Sequence, residues 1–463
     1  MFSPQPTPLL SEAEADGIAD IHDHTAIYTA EPVVDQLLDE IGWPGCGGRL
    51  LDPGAGDGAF LLAALSRLTP ARDDVASVCA RLIGCEFHAE AAAIARTRLS
   101  DHLRGRGWSR VRADEAAQRI LIVCDFIRAP FPVDSIDIVA CNPPYMRFAK
   151  LGDFHKALYR AIVPGYAQGD LLFSFLDKLS AILKPNGIFA AVTSDRWLSN
   201  DGASRLRAAI GAKFGISHLR RLDCASAFYR AKTRRKGTPP RVHPVAIVLS
   251  PAAPIPMGLA PINIGNPMAA PAHGRTLADI CEIRLAPWLG PDGIFVVGAD
   301  VAATMPQGRI FPCVNAKTID MQARRLRPIT RWVIATTRDD ALPESIRAHL
   351  DATRERMPPR GQRNMPWLPP EQFVGRFPLT EEALLIPRIA KSICPIRLPA
   401  GIVPVDHQLT VLSGGIPINR LEAMLGSPEA HAWLQDNVPA IDGGYYNIRT
   451  GLLRRLPVFE KYL

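Results

Sequence analysis

Seven short apolar runs alternate with helical stretches between residues 49 and 250, and this alternation limits the possible folds more than any other feature. The runs are Arg49–Asp52, Leu82–Glu86, Ile120–Asp125, Ile136–Cys141, Gly187–Thr193, Ile216–Leu222 and Val245–Leu249. The helical stretches include Gly58–Leu68, Ala89–Leu103 and Asp170–Leu183. Uninterrupted apolar strands joined by helices are typical of a parallel sheet that is covered on both faces. We therefore predict a doubly wound α/β domain, in which ligands bind at the carboxyl ends of the strands.

The rest of the chain has a different composition. Residues 251–271 are rich in proline, alanine and glycine, so this segment is predicted to be a linker. The segments that follow it are short, irregular in period and broken by proline. We expect an α/β domain at residues 1–250 and a mixed, loop-rich domain at residues 272–463. A length of 463 residues accommodates two such domains.

Composition and charge exclude several classes of protein. Apolar residues make up 47% of the chain and charged residues 21%, which is ordinary for a globular protein. No uncharged apolar run reaches the roughly 18 residues that a membrane span needs. The acidic N-terminal segment lacks a signal-peptide pattern, so a cytoplasmic protein is expected. The nine cysteines form no CxxC pair, which argues against a metal site and a disulfide framework. The net charge of +7 is compatible with a polyanionic partner.

A glycine-rich turn follows the first strand, in the sequence LLDPGAGDGAF at residues 50–60. The strand ends at Asp52, and Gly54 and Gly56 lie in the turn before a helix. Glycines allow backbone amides to approach a ligand closely, and the N-terminus of a helix favours anionic groups. The GxGxG spacing differs from the GxGxxG fingerprint of dinucleotide sites. The segment therefore indicates either a nucleotide-type ligand or a tight packing turn.

Acidic residues end the next two predicted strands, at Glu86 and Asp125. An acid at the end of the second strand suits a ribose diol, whose hydroxyl groups need acceptors. An acid after the third strand suits the exocyclic amine of adenine, and the neighbouring Phe126 or Phe87 offers an aromatic face to the purine. Each acid alone would also be consistent with a solvated strand end. Together, in this order, they indicate an adenosyl ligand without a pyrophosphate site.

The fourth strand leads into Asn142-Pro143-Pro144-Tyr145, the most specific pattern in the chain. Two consecutive prolines have fixed φ angles and no N–H groups, so the loop is stiff and its carbonyl groups are unshared. The side-chain oxygen of Asn142 and the carbonyl of Pro143 are two acceptors for the hydrogens of a planar exocyclic amine. Tyr145 offers a ring against which a base stacks. The pattern therefore predicts a site for an amino group on a nucleic-acid base.

Together these motifs resemble the gamma-class N6-adenine DNA methyltransferases of type II restriction–modification systems. The segment Ile27–Asp35 is similar to the one that opens those enzymes, and Ala227–Tyr229 is similar to the one that helps hold their target adenine. The resemblance implies S-adenosyl-L-methionine as the cofactor, with Thr29 reaching its methionine part. It also implies that Phe228 stacks on the target base together with Tyr145, although Tyr229 could take the place of Phe228.

The resemblance assigns the remaining site residues one by one. The cofactor-binding residues it implies are Thr29, Asp52, Gly54, Gly56, Glu86, Asp125 and Phe126. The catalytic residues it implies are Asn142, Pro143, Pro144 and Tyr145. No general base is required, because the leaving group is already a cationic sulfur.

Two basic regions are candidates for contact with DNA. The insertion at residues 230–241 carries Arg234, Arg235 and Lys236 and no acid, which predicts either phosphate contacts or a solvated loop. The second region runs from Arg324 to Arg363 and is diluted by acids. Basic side chains beside a base pocket would neutralise phosphates, and binding would then weaken with salt.

We therefore expect a site-specific adenine DNA methyltransferase that acts on double-stranded DNA. The target adenine is expected to be flipped out of the duplex, since its N6 atom is otherwise buried in the stack. The C-terminal domain is expected to recognise the target sequence, and a separately encoded restriction endonuclease is a further candidate partner. Two alternatives share these motifs: an amino-methyltransferase of RNA or protein glutamine, and a catalytically silent DNA-specificity subunit.

Overall fold

In the computed structural model, the chain divides into two compact units, Met1–Met268 and Ala269–Leu463. The structure describes residues 11–229, 243–251, 253–262, 264, 274–336, 341–357, 379–438 and 442–463. Ile255 and Met257 are buried in the core of the first unit, and Ile255 pairs with Ile216. The first residues of the segment predicted to be a linker therefore belong to the first unit. None of the helices within the described ranges combines the length and hydropathy needed to cross a bilayer.

The first unit is built on a seven-stranded sheet and a two-stranded ribbon. In chain order, its described strands are β1 (Tyr28–Thr29), β2 (Leu50–Asp52), β3 (Leu82–Glu86), β4 (Leu121–Val123), β5 (Ile136–Cys141), β6 (Leu183–Ser194), β7 (Gly215–Arg221), β8 (Phe228–Tyr229) and β9 (Pro244–Ser250). The sheet has the order β4-β3-β2-β5-β6-β9-β7, and β9 alone runs antiparallel to its neighbours. The chain order reverses between β2 and β5, which is where open α/β sheets bind ligands.

Both faces of this sheet are buried. In β2, Leu50 lies in the core on one face and Leu51 in the core on the other. In β5, Ile138 shares the face of Leu50, and Val139 shares the face of Leu51. Burial on both faces explains why these strands appear in the sequence as continuous apolar runs.

All seven predicted strands of the sheet are present, and two of them differ from the predicted bounds by more than one residue. The run Ile120–Asp125 is a strand only at Leu121–Val123, because Ile120 still belongs to a helix and Cys124 already leaves the sheet. The fifth predicted strand begins earlier than expected, since β6 starts at Leu183 and continues to Ser194.

Helices cover the sheet on both faces. In chain order they are α1 (Glu12–Thr25), α2 (Glu31–Glu40), α3 (Ala59–Ser66), α4 (Val75–Arg81), α5 (Ala89–Gly105), α6 (Arg110–Ile120), α7 (Asp153–Ile162), α8 (Leu171–Ile182), α9 (Arg196–Ser199), α10 (Ser204–Gly211) and α11 (Cys224–Ala227). Helix α3 begins after Gly58, whose φ is +85° and whose added Cβ would lie 2.9 Å from the Cβ of Ala95. Glycine at this position therefore lets α3 pack directly on α5.

The second unit consists of small sheets and short helices. Its described strands are β10 (Glu282–Leu285), β11 (Val296–Val297), β12 (Ile310–Val314), β13 (Ile319–Asp320), β14 (Arg325–Leu326), β15 (Trp332–Ile334), β16 (Ala383–Pro387), β17 (Ile389–Ala390), β18 (Ile396–Leu398), β19 (Val403–Pro404), β20 (Leu409–Ser413) and β21 (Tyr446–Asn447). Its described helices are α12 (Ala299–Ala302), α13 (Glu344–Thr353), α14 (Ile418–Leu425), α15 (Pro428–Asn437) and α16 (Thr450–Arg454).

Two four-stranded sheets form the framework of this second unit. One has the order β10-β20-β16-β18 and is antiparallel, and the other has the order β11-β15-β12-β19 and is mixed. Two-stranded sheets are formed by β13 with β14 and by β17 with β21. The predicted fold class, a doubly wound α/β domain followed by a mixed, loop-rich region, is confirmed.

Candidate active site

The carboxyl ends of β2, β3, β4 and β5 open onto a pocket of about 860 Å³, including its open mouth. Nine of the predicted site residues line it: Thr29, Asp52, Gly54, Gly56, Glu86, Asp125, Phe126, Asn142 and Pro144. Three others, Pro143, Tyr145 and Phe228, do not line this pocket, although each is next to a residue or strand that does. The pocket lies at the end of the sheet where the strand order predicts a ligand.

The glycine-rich turn joins β2 to α3 and carries the first acid of the pocket. Asp52 is only 1% exposed, and its Oδ1 accepts a hydrogen bond from the Gly54 N–H at 3.2 Å. Burial raises the pKa of Asp52 well above its ordinary value, and the Gly54 N–H offsets this in part. Gly56 has a φ of +54°, and an added Cβ there would lie 2.8 Å from the ring of Tyr28. The turn therefore requires glycine at position 56 for its backbone conformation and for the close approach of Tyr28.

Glu86, at the end of β3, binds to the backbone of this turn. Its Oε2 accepts from the Gly56 N–H at 2.6 Å, and its Oε1 accepts from the His88 N–H at 2.8 Å. Burial raises the pKa of Glu86, while these two N–H groups lower it in part. Each carboxylate oxygen retains a lone pair after these bonds, so Glu86 has the capacity to accept from hydroxyl groups of a ligand.

Asp125 follows β4 and is also held by two donors. Its Oδ1 accepts from the Ile127 N–H at 2.9 Å, and its Oδ2 accepts from the Tyr159 hydroxyl at 3.0 Å. Burial raises the pKa of Asp125, and the hydrogen bond from Tyr159 partly lowers it. Tyr159 belongs to α7, so a helix more than thirty residues away along the chain orients this carboxylate.

A partly buried lysine on α8, Lys178, fixes the loop that carries Asp125 and Phe126. The Lys178 ammonium donates to the carbonyl of Phe126 at 2.5 Å and to that of Ile127 at 2.8 Å. Burial lowers the pKa of Lys178 to about 8. Phe126 is 2% exposed, and its ring centroid lies 5.1 Å from that of Phe175. The loop is therefore held both by hydrogen bonds and by aromatic packing, with Phe126 forming part of the pocket wall.

Asn142 lies after β5, and both ends of its side-chain amide are engaged. Its Nδ2 donates to the Ile27 carbonyl at 2.9 Å, and its Oδ1 accepts from the Tyr145 hydroxyl. The same hydroxyl lies 2.6 Å from the Val192 carbonyl. Burial raises the pKa of Tyr145 well above its usual value, so the phenol remains a donor. Among the described residues, no hydrogen bond reaches the carbonyl of Pro143.

The segment after Tyr145 is fixed to the start of α8. Asp170 accepts from the Met146 N–H at 3.2 Å and from the Leu172 N–H at 3.1 Å. The Leu171 N–H in turn donates to the Met146 carbonyl at 2.8 Å. The loop Asn142-Pro143-Pro144-Tyr145, called the NPPY loop below, therefore ends at the N-cap of α8. Its position does not depend on the prolines alone.

The ribbon of β1 and β8 brings two distant predicted segments together. Thr29 pairs with Phe228, and Tyr28 pairs with Tyr229. Thr29 is 2% exposed, and its hydroxyl is buried in the pocket wall without a hydrogen-bond partner among the described residues. Phe228 packs instead against the hydrophobic core on one face of the sheet. The predicted stacking role of Phe228 stays a prediction.

Several residues of the site were not identified from the sequence. The Asp57 carboxylate accepts at Oδ2 from the Tyr229 hydroxyl and from Arg98 at 2.5 Å, while its Oδ1 is buried without a described partner. His22 of α1 also lines the pocket, and its ring stacks on His88 with centroids 3.8 Å apart. Asp57 lies inside the glycine-rich segment 50–60, so its position in that motif is a signal in the sequence. His22 had no such signal, because α1 carries no motif.

The predicted DNA-backbone residues Arg234, Arg235 and Lys236 lie outside the described residues. Their proposed role is therefore not tested by the structure, and neither are the roles of individual residues within the pocket. The geometry establishes which predicted residues meet at the end of the sheet.

Comparisons with known proteins find relatives for part of the chain. Residues 82–228 match the family model described as Eco57I restriction-modification methylase. Type II methyltransferase M.BstVI of Geobacillus stearothermophilus is 29% identical over 223 residues, which are 44% of this chain and 39% of that protein. Type II methyltransferase M.XamI of Xanthomonas campestris pv. amaranthicola is 30% identical over 189 residues, covering 39% of this chain and 32% of that protein. The chain thus spans only 32–39% of these relatives' length.

A solved structure shares the fold over nearly the whole chain. The type IIL restriction-modification enzyme MmeI, solved in complex with DNA, has a TM-score of 0.57 at 13% identity and covers 96% of this chain and 69% of its own. At that identity the similarity establishes the fold alone. The family match and the curated relatives confirm the resemblance that the motifs predict: over residues 82–228 this chain is similar to restriction–modification methyltransferases.

Proposed function

We propose that the chain binds S-adenosyl-L-methionine in this pocket and transfers its methyl group to N6 of an adenine in double-stranded DNA. The observation that carries the proposal is that one pocket combines the glycine turn, the strand-end acids Glu86 and Asp125, and the amide of Asn142. The family match over residues 82–228 supports methyl transfer within a restriction–modification setting. Specificity for adenine rests on the NPPY pattern.

The polar groups of the pocket suit the parts of this cofactor. Glu86 has lone pairs for the two ribose hydroxyls, and Asp125 has them for the adenine amine. The Thr29 hydroxyl, which has no hydrogen-bond partner in the part of the chain that the structure describes, is available to the methionine part. A buried polar group without a partner is costly, which is a reason to expect that a ligand satisfies it. Phe126 supplies an apolar wall for the purine.

The bound cofactor supplies a methyl group that is activated by a positively charged sulfur. The protein's part is to hold the target amine in line with that group. The oxygen of Asn142 and the carbonyl of Pro143 would accept the two amine hydrogens and direct the nitrogen lone pair toward the methyl carbon. Fixed acceptors of this kind stabilise the partial positive charge that develops on the nitrogen.

Double-stranded DNA is the substrate we propose, with the adenine extruded into the site. Support comes from the relatives, which are type II methyltransferases, and from MmeI, whose structure contains DNA. Flipping is required because a paired adenine keeps N6 inside the stack. We assign sequence recognition to the second unit, and a separately encoded restriction endonuclease remains a candidate partner.

A labelled-methyl assay tests this proposal against the alternatives. The purified chain is incubated with methyl-labelled S-adenosylmethionine and equal masses of duplex DNA, RNA and protein. We expect label in duplex DNA alone. Label in RNA or protein would support the other amino-methyltransferase classes. A chain that binds both cofactor and DNA but labels none of the polymers would be a silent specificity subunit.

A further inference from the structure

The second unit carries an exposed basic hairpin at residues 317–331, formed around β13 and β14. Five cations and one acid occur in this segment: Lys317, Arg324, Arg325, Arg327 and Arg331, with Asp320 as the acid. The first four of these cations are exposed. None of those four forms an ion pair with another residue in the part of the chain that the structure describes. Asp320 lies opposite Arg325 in the pairing of β13 with β14, but with five cations against this one acid the hairpin keeps a net positive charge for a polyanion.

The hairpin is anchored on one face, and its arginines are on the other. Ile319 is paired with Leu326, and both belong to or pack against a hydrophobic core of the second unit. Side chains alternate along a strand, so Arg325 and Arg327 share the face opposite Leu326. The Arg327 N–H donates to the Thr318 carbonyl at 2.8 Å, which extends the pairing beyond the two strands. The arginines therefore project from a fixed backbone.

The tip of the hairpin is also ordered by specific bonds. Asp320 Oδ1 accepts from the N–H groups of Gln322 and Ala323 at 3.1 and 3.0 Å. Arg324 follows with a φ of +48°, a left-handed conformation that residues with a Cβ rarely adopt.

We propose that the basic hairpin binds the phosphates of duplex DNA through Arg324, Arg325 and Arg327. This inference rests on the proposed function, in which DNA is the substrate. Arginine presents several donors to a phosphate, and a fixed backbone reduces the conformational entropy lost on binding. Contacts of this kind position the protein on the duplex without reading its sequence. The hairpin therefore contributes affinity and salt dependence rather than choice of site.

Salt titration of DNA binding by the full chain tests the hairpin. Binding of a fluorescent duplex is followed by anisotropy in wild type and in Arg324→Gln/Arg325→Gln/Arg327→Gln. Each lost phosphate contact should lower the slope of log K against log salt by about 0.9, so the triple variant should lose up to about 2.7. The matched control is Arg104→Gln/Arg110→Gln/Arg119→Gln, which removes the same charge from exposed surface ion pairs of the first unit. Its slope should stay close to that of wild type.

A second variant separates charge from structure. Arg324→Lys/Arg325→Lys/Arg327→Lys keeps the three positive charges, and we expect it to retain most of the slope, since lysine binds phosphate as a point charge. Equal loss in the Lys and Gln variants would overturn the proposal, as would a Gln variant with the wild-type slope. If the wild-type chain methylates DNA but the Gln variant keeps the wild-type salt slope, the hairpin proposal is wrong and the proposed function still holds. A wild type that neither binds nor methylates duplex DNA would contradict the proposed function as well.

Discussion

The two halves of the pocket that we assign to the cofactor and to the target base, the cofactor half and the base half, hold their polar groups in different ways. In the cofactor half, Glu86 is fixed entirely by backbone N–H groups, and Asp125 by one backbone N–H and one hydroxyl. In the base half, the oxygen of Asn142 is held by a single side chain, the hydroxyl of Tyr145. Main-chain donors survive most substitutions nearby, whereas a side-chain donor is removed by one. The geometry of the base half should therefore be the more sensitive to mutation.

The two halves also differ in how many of their hydrogen-bonding groups are available to a ligand. The acids of the cofactor half retain spare lone pairs, and Thr29 presents a hydroxyl without a described partner. In the base half, both ends of the Asn142 amide already have partners, Ile27 and Tyr145. An arriving amine must share Asn142 with Tyr145 or displace its hydroxyl toward Val192, which is within reach at 2.6 Å. We infer that the cofactor half has spare acceptors for its ligand, whereas in the base half the target amine must share the oxygen of a fixed Asn142 with the Tyr145 hydroxyl or displace that hydroxyl.

The largest effect is expected from Asn142→Ala. The variant loses the side-chain acceptor for the target amine, and the loss of one preorganised transition-state hydrogen bond typically lowers the rate by about 10²–10³. Single-turnover methyl transfer measures this change. Cofactor affinity, measured by calorimetry, should be unchanged because Asn142 belongs to the base half. A parental rate of transfer would mean that the NPPY loop is only a structural turn.

A smaller effect is expected from Glu86→Ala and Asp125→Ala, which act on the cofactor half. Each removes an acceptor for a buried ligand group, at a cost of about 1–3 kcal/mol, or roughly 5- to 150-fold in cofactor affinity. Calorimetric titration with S-adenosylmethionine gives the value. Asp153→Ala is the matched control, since it removes a carboxylate that is fully exposed on α7. If both pocket variants stay folded and bind the cofactor with unchanged affinity, Glu86 and Asp125 do not form an adenosyl site.

Tyr145→Phe isolates the hydroxyl that holds Asn142. The ring remains for stacking, and the loss of one hydrogen bond should cost about 0.5–1.5 kcal/mol, or roughly 2- to 12-fold in transfer rate. Tyr145→Ala removes the ring as well and should weaken capture of the base by about 1–3 kcal/mol. The fluorescence of 2-aminopurine at the target position distinguishes them: the Phe variant should flip the base normally and the Ala variant should not. Equal flipping defects in both would place the hydroxyl, not the ring, in base capture.

The smallest effect is a dependence of cofactor affinity on pH. Burial raises the pKa of Glu86 and of Asp125, and their ionised forms are the better acceptors. Binding therefore favours loss of a proton, so affinity should rise with pH through the raised pKa values and level off above them. Below them the carboxyls are protonated and affinity should fall. Calorimetry across mildly acidic to neutral pH should show this trend, and Glu86→Gln should flatten it. Affinity that improves on acidification would contradict the assignment.

Much of the first unit followed from the sequence because buried parallel strands leave an unambiguous pattern. The apolar runs predicted all seven strands of the sheet. The acids at the ends of these runs predicted the edge of the pocket, because parallel strands end at the same side of a sheet. The NPPY pattern similarly located Asn142 at the pocket. Each of these inferences depends on neighbours in sequence or on strand direction alone.

The parts that were missed depend on contacts between distant segments. Tyr159 supports Asp125 from a helix, and Tyr145 donates to Asn142 where stacking alone was expected. Phe228 pairs with Thr29 across the ribbon of β1 and β8, which is a contact between segments far apart in the chain. No periodicity or spacing encodes which side chain reaches which across the fold. In the second unit the strands are short and interrupted by proline, so the sequence does not predict which strands pair.

The central claim is that this pocket transfers a methyl group to N6 of adenine in duplex DNA. The most direct measurement is the identity of the modified nucleoside. Duplex DNA is incubated with the full chain and S-adenosylmethionine carrying a deuterated methyl group, then digested and analysed by mass spectrometry. We predict deuterated N6-methyldeoxyadenosine in the wild-type reaction and its near absence with Asn142→Ala. Label on cytosine instead, at N4 or C5, would contradict the assignment of the site to adenine.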